Sequence, residues 1–149
     1  VGINKENFMI FKLRTMKKDA PSIGTHEVEK KFYLLSGKVI RKFKIDELPQ
    51  LLNVIKGDLN LIGFRPGLIN QDELNSSREK YGIFNNKPGI TGLAQVTGFN
   101  MSEPDNLSKV DKIYYDRKSF VIDFQILVCT FTGFFRSKLL HLANKLDDV

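Results

Sequence analysis

Apolar residues recur at helical spacing across residues 45–55. Ile45, Leu48, Leu51, Leu52 and Ile55 share one side of a helix, and Asp46, Gln50 and Asn53 line up on another. Gly57 is placed to end that helix in the left-handed region, with Lys56 in the last turn, where a cation suits the macrodipole. Pro49 has no N–H to give to a helix interior and belongs in or near the first turn. Asp46 and Glu47 are therefore predicted at or just inside the helix N-terminus, where free N–H groups favour carboxylates and also hold phosphate oxygens.

The same reading runs along the rest of the chain. Residues 8–16 alternate as a short strand, with Phe11 and Leu13 on one face and Lys12 and Arg14 on the other. Residues 17–24 read as a loop, and Thr25 caps a helix through Val28, Phe32 and Leu35 that Gly37 ends, before a short apolar element at 39–43. Residues 58–62 turn into an extended segment. Gly63 and Pro66 restrict the loop around Phe64 and Arg65, so Arg65 is expected to be held in place.

Residues 70–81 read as an exposed helix with surface contacts between Glu73 and Ser77 and between Asp72 and Arg78. Pro88, Gly89, Thr91 and Gly92 force tight turns around one buried residue, Ile90. A loop at 100–106 precedes a helix over 107–120. The last stretch, 120–146, sets Phe131, Phe134, Phe135, Leu139, Leu140 and Leu142 among Arg136, Lys138 and Lys145. That composition suits an amphipathic helix in a membrane interface, and also a core or subunit-packing helix. The expected fold class is α+β, a helix-rich single domain over 1–149 with a few short strands and membrane-interface amphipathic helices.

Charge narrows the partners. Lys and Arg number 23 against 17 Asp and Glu, a net charge of +6, which suits nucleotides, phospholipid surfaces or nucleic acid. Nucleic acid is disfavoured, because the basic stretches lack interleaved stacking aromatics and any nucleic-acid-binding motif. Cys129 is the only cysteine, which excludes a disulfide framework and a thiolate metal site. His26 and His141 are far apart and carry no ligand spacing. The longest apolar run, 126–135, is interrupted by Thr130, Thr132 and Gly133 and falls short of the roughly 20 residues that span a bilayer.

The chemistry gathers at residues 38–66. An ionised, positioned carboxylate can attack phosphorus, and a neighbouring carboxylate can hold Mg2+ together with substrate phosphates. Arg41, Lys42 and Lys44 precede the acid pair and Arg65 follows it, enough cations to neutralise a diphosphate. Taken alone, the pair reads rather as a helix cap, Asp46, beside a solvated first-turn acid, Glu47, since Asp and Glu are ordinary first-turn residues. Lys12 and Arg14 read alone as the solvated face of a half-buried strand. Residues 87–98 offer free N–H groups and a threonine hydroxyl that suit a phosphate or a uridine edge, or form a plain structural turn.

Four stretches carry a resemblance: FKLRTM at 11–16, IRKFKIDELPQLLNVIKGDLNLIGFRP at 40–66, KPGITGLAQVTG at 87–98 and VDKIYYDRKSFVIDFQIL at 110–127. In these the chain resembles the catalytic domain of the bacterial sugar transferases, the monotopic phosphoglycosyl transferases that start glycan assembly on polyprenyl phosphate. The resemblance implies that Asp46 is the nucleophile on the sugar-bearing phosphorus of a UDP-sugar. UMP then leaves, and polyprenyl phosphate, as undecaprenyl phosphate, takes the phosphosugar. It implies Glu47 as the ligand of a Mg2+ cofactor and Lys12, Arg14, Arg41 and Arg65 as phosphate binders. Pro88, Gly89, Thr91, Gly92 and Gln95 are the candidate nucleotide or phosphate loop. Family members carry a hydrophobic re-entrant segment ahead of this region, so the chain is expected to be the soluble-side part of an enzyme on the cytoplasmic face of the bacterial membrane. A homo-oligomer is compatible with the sequence.

Three positions depart from the family pattern. Phe64 stands where members have the first proline of the loop, Lys44 where they have Ser or Thr, and Phe99 where they often have arginine. Lys44 removes an N-cap opposite Glu47 in a capping box, and Phe99 removes a phosphate contact. Lower or altered activity is expected from them. The competing reading is a catalytically weakened member serving as a basic scaffold on membranes or polyanions.

Overall fold

The structure is a computed structural model that describes residues 1–16 and 34–146. Its elements in order are a 3-10 turn at Ile3–Lys5, α1 (Leu35–Lys42), a 3-10 turn at Ile45–Glu47, α2 (Gln50–Lys56), β1 (Asn60–Ile62), α3 (Asp72–Lys80), a 3-10 turn at Ile83–Asn85, β2 (Gly89–Thr91), α4 (Leu93–Thr97), α5 (Pro104–Arg117), α6 (Phe120–Thr132) and α7 (Arg136–Ala143). The helix-rich α+β expectation holds. The sheet among the described residues has two parallel strands, with Asn60 opposite Gly89 and Ile62 opposite Thr91.

Glycines make the pairing of these strands possible. A Cβ on Gly89 would sit 2.1 Å from the Gly63 nitrogen, and one on Gly92 2.0 Å from the Gly63 oxygen, distances no side chain tolerates. The expected turns around a buried Ile90 are thus a strand, and its alternation buries Gly89 and Thr91 while Ile90 is only half-buried.

Helix α5 is the hub of the core. Its Leu107, Val110, Ile113 and Tyr114 pack with Leu74 of α3, Leu93 and Ala94 of α4, Ile126 and Cys129 of α6, and Leu139 and Ala143 of α7. Pro104 occupies the first turn of α5, where its missing N–H costs nothing, so the helix begins three residues before the expected Leu107. Ser119 caps α6 by accepting from the Ile122 N–H, and Gly133 at φ +73° ends it, which divides the last stretch into two helices. A smaller cluster joins Phe64, Ile83 and Phe84.

Several local expectations are corrected. Residues 8–16 are extended but pair in no regular ladder, because their backbone bonds go to side chains and loops. Phe11 N–H donates to Asn53 Oδ1 at 3.0 Å, Met9 oxygen accepts from Asn53 Nδ2 at 2.7 Å, and Leu13 N–H donates to Asp46 oxygen at 3.1 Å. Gly37 lies inside α1 and does not end a helix. A Cβ there would meet Thr15 oxygen at 2.3 Å, so glycine lets α1 cross the N-terminal segment. The apolar element at 39–43 is largely the second half of α1. The loop at 17–24 and the helix start through Thr25, Val28 and Phe32 lie outside the described residues, as does His26.

Helix α3 differs most from its reading. Arg78, expected on the surface beside Asp72, is 0% exposed and donates through Nη2 to Asp111 Oδ2 at 3.1 Å. Its guanidinium carbon lies 4.7 Å from the Phe64 ring centre. Ser77, paired with Glu73 in the expectation, donates its hydroxyl to Pro104 oxygen at 3.2 Å.

Candidate active site

The acid pair sits in the 3-10 turn ahead of α2, not in the α-helix itself. Lys44 at φ +55° turns the chain out of α1, and Pro49 becomes the residue flanking α2, so Asp46 and Glu47 precede the helix by one turn. Helix α2 then presents its faces the opposite way round from an ordinary surface helix. Asp46, Gln50 and Asn53 are buried, whereas Leu48, Leu51, Leu52 and Ile55 are exposed, Ile55 to 81%. Asn53 explains the inversion. Its side chain bonds residues 9 and 11 and donates to Asp58 Oδ2 at 3.0 Å, and its carbonyl accepts from the Asp58 and Leu59 N–H groups. A fully bonded polar hub outweighs the apolar face for the inward position.

A cleft of about 510 Å³ opens over this turn. One wall carries Lys12, Arg41, Lys44, Asp46, Glu47 and Arg65, and the other comes from α4 and the loop after it, with Gln95, Gly98, Phe99 and Asn100. Lys12 Nζ lies 3.1 Å from Asp46 Oδ2 and 3.7 Å from Glu47 Oε1. Arg65 Nη1 donates to Glu47 Oε1 at 3.2 Å. Arg41 Nε donates to Thr15 Oγ1 at 2.8 Å, which ties α1 to the N-terminal segment. Asp46, only 3% exposed, lies in the cleft wall.

The remaining candidates fall differently. Arg14 is exposed and is not among the cleft-lining residues. Of the candidate loop residues Pro88, Gly89, Thr91, Gly92 and Gln95, Gln95 is the one that lines the cleft. Its Nε2 donates to Ile90 oxygen at 3.1 Å, and its Oε1 is buried without a hydrogen-bond partner among the described residues. Pro88, Gly89, Thr91 and Gly92 lie behind it, with Thr91 and Thr130 hydroxyls 2.8 Å apart. Phe99 faces the cleft, while Phe64 points away from it into the core.

The sequence reading passed over Tyr115, which fixes the loop bearing Arg65. Its hydroxyl accepts from the Phe64 N–H at 3.1 Å and donates to Lys87 oxygen at 2.9 Å, so one side chain joins the two loops behind the sheet. Burial pushes its phenol well above the ordinary value and keeps it a donor. A second, apolar groove of about 140 Å³ also went unforeseen. It shares Lys44 and Glu47 with the cleft and is otherwise lined by residues including Phe43, Leu51, Leu61, Leu127 and Phe131.

Among the described residues no three His, Cys, Asp or Glu side chains converge as an all-protein metal site. The donors present suit Mg2+ in another way, since that ion is commonly held by one or two carboxylates with substrate phosphates completing its shell. Asp46 and Glu47 are such donors at the cleft wall.

Adjacent carboxylates bracketed by flexible cations in an open cleft have the chemistry to receive a phosphate-bearing ligand. Residues 1–137 match the model of the bacterial sugar transferase family, and the chain belongs to that family. It is 40% identical over 131 residues to the uncharacterized sugar transferase EpsL of Bacillus subtilis, covering 87% of this chain and 63% of that protein. It is 41% identical over 101 residues to a UDP-glucose:undecaprenyl-phosphate glucose-1-phosphate transferase of Caulobacter vibrioides, covering 65% of this chain and 38% of that protein. To an undecaprenyl-phosphate galactose phosphotransferase of Salmonella typhimurium it is 35% identical over 147 residues, covering 87% and 31%. The chain spans less than two thirds of the length of these relatives.

Proposed function

We propose that this chain is the catalytic part of a phosphoglycosyl transferase that moves a sugar phosphate from a UDP-sugar to polyprenyl phosphate, in bacteria undecaprenyl phosphate, and releases UMP. The observation that carries the reading is the acid pair held against Lys12 and Arg65 in the wall of a cleft large enough for a nucleotide sugar. Asp46 attacks the sugar-bearing phosphorus, forming an acyl-phosphate as the bond from phosphorus to the UMP oxygen breaks. A phosphate oxygen of the acceptor then attacks the same phosphorus and returns the Asp46 carboxylate, leaving a diphosphate-linked sugar on the lipid.

The cations have long, flexible stems. An incoming diphosphate competes for Lys12 and Arg65, drawing positive charge onto the leaving group as it uncovers the two carboxylates. Glu47 would hold Mg2+, which supplies further charge neutralisation at the diphosphate when bound. Arg41 and Lys44 lie on the same wall and serve the same charge balance, whereas Arg14 lies outside it. The outward apolar faces of α2 and α6, which include Ile55 and Phe120, support attachment to the inner membrane surface from the cytoplasmic side. No helix among the described residues is long and apolar enough to cross a membrane.

The test uses full-length protein in nanodiscs containing undecaprenyl phosphate and Mg2+. UMP release is measured from a panel of UDP-sugars for the wild type, Asp46→Asn and Glu47→Gln. Release that requires both carboxylates and the metal supports the reading and identifies the sugar. A folded wild type that binds anionic lipid but releases no UMP from any sugar favours a scaffold.

A further inference from the structure

We propose that the apolar groove beside Glu47 seats the hydrocarbon tail of the acceptor next to its phosphate. This rests on the transferase reading above and adds where the lipid enters.

The groove is walled by the end of α1 at Phe43, by Leu51 of α2, by the sheet at Leu61 and Ile90, and by Leu127 and Phe131 of α6. Its polar groups are few and accounted for. Thr130 donates its hydroxyl to Ile126 oxygen at 2.8 Å, which leaves Thr91 to donate to Thr130. Lys44 and Glu47 stand at one end and also line the polar cleft. A ligand that fills both spaces is therefore anionic at one end and apolar along its length, with the change of character falling at Glu47.

A nucleoside does not fit the apolar side, since its base edge would lose water without gaining partners. That side suits a branched hydrocarbon. Leu51 and Phe131 of the groove are exposed, and the helices that carry them bear further exposed apolar residues, Leu52 and Ile55 on α2 and Phe120, Val121 and Phe124 on α6. A long tail thus has a path from the groove to a bilayer on which those residues rest, while its phosphate reaches the carboxylate pair. The arrangement also separates the two substrates: the nucleotide sugar enters the polar cleft from water, and the lipid enters through the groove.

The experiment separates groove contact from general membrane contact. In full-length protein in nanodiscs, Leu51→Ser and Phe131→Ser alter exposed residues of the groove, and Ile55→Ser and Phe120→Ser alter still more exposed apolar residues outside it. Two reactions are followed: UMP release in the absence of acceptor, and sugar phosphate transfer as undecaprenyl phosphate is varied. The groove variants should raise the acceptor KM about tenfold, the scale for lost apolar contacts in a pocket, with acceptor-free UMP release unchanged. The control variants, which touch membrane contact but not the groove, should raise the acceptor KM by clearly less than the groove variants do.

Equal KM effects from both sets would overturn the proposal in favour of general membrane contact, and no effect from either would place the tail elsewhere. A polyprenyl phosphate bearing a photoreactive tail supplies a readout independent of turnover. Crosslinks within Leu51, Leu127 or Phe131 peptides support the groove, and crosslinks confined to other segments refute it. A protein that releases no UMP yet labels in the groove would sink the transferase reading while leaving the lipid site standing.

Discussion

Replacing Arg78 by methionine isolates the strut beneath the cleft. Arg78 and Asp111 are 0% and 3% exposed and paired at 3.1 Å, and the guanidinium also lies against Phe64, the neighbour of Arg65. Methionine fills much of the same volume and leaves the Asp111 carboxylate buried without its counter-charge. Breaking one side of such a pair costs about 3–5 kcal/mol, a large share of the roughly 5–15 kcal/mol that stabilises a domain. Removing both charges in Arg78→Met with Asp111→Leu should recover most of that loss, because Arg78 Nε and Nη1 already lack partners among the described residues and gain nothing by their burial.

The pH dependence gives a second, independent reading of the same strut. Burial pushes the Asp111 carboxyl up to about 6 from an ordinary 3.8, against the pull of Arg78, and burial likewise lowers the Arg78 guanidinium. Between these values the folded chain binds more protons than the unfolded one. The contribution of Asp111 to stability is therefore full below about pH 4 and is lost as pH rises through about 6. Without Arg78 the folded value rises further, so the Arg78→Met penalty should be smallest in acid and grow toward neutral pH. Urea unfolding across pH, with Asp111→Asn as the flat reference, measures it. A cost under about 1 kcal/mol at neutral pH, a penalty independent of pH, or a double variant no better than the single would each refute the reasoning.

Gly89→Ala drives a methyl group into the Gly63 backbone and should destabilise by at least about 1–3 kcal/mol in the same unfolding assay, with loss of transferase activity as the Arg65 loop shifts. Gly57→Ala places alanine at φ +87°, at a cost of about 1–2 kcal/mol, and should lower the melting temperature without altering the acceptor KM. Phe99→Arg puts a cation on the wall opposite Glu47 and should increase phosphosugar transfer; unchanged transfer by a folded variant would show that the cleft lacks no cation there. Ile55→Asp, on the outward face of α2, should weaken sedimentation with phospholipid vesicles while its unfolding curve stays near that of the wild type.

The sequence by itself determined that a helix lies ahead of Gly57 and stops there, that Pro49 sits near its entry and that Asp46 adjoins Glu47, though not that the acid pair falls in a separate 3-10 turn before it. All of these follow from spacing and backbone chemistry within a few residues. Family blocks carried the bacterial sugar transferase assignment for the same reason: local motifs survive in the linear chain. Tertiary structure decided which face of α2 turns inward, because periodicity locates an apolar stripe without revealing that Asn53 satisfies residues 9, 11 and 58 from the opposite side. It also decided that Arg78 is buried, since its partner Asp111 is 33 residues away and no local pattern marks the pair. The meeting of Lys12 and Arg65 at one acid pair, and the apolar groove sharing Glu47 with the polar cleft, likewise arise only where distant segments converge. Short-range sterics are written residue by residue, whereas burial and charge pairing depend on which segments fold against one another.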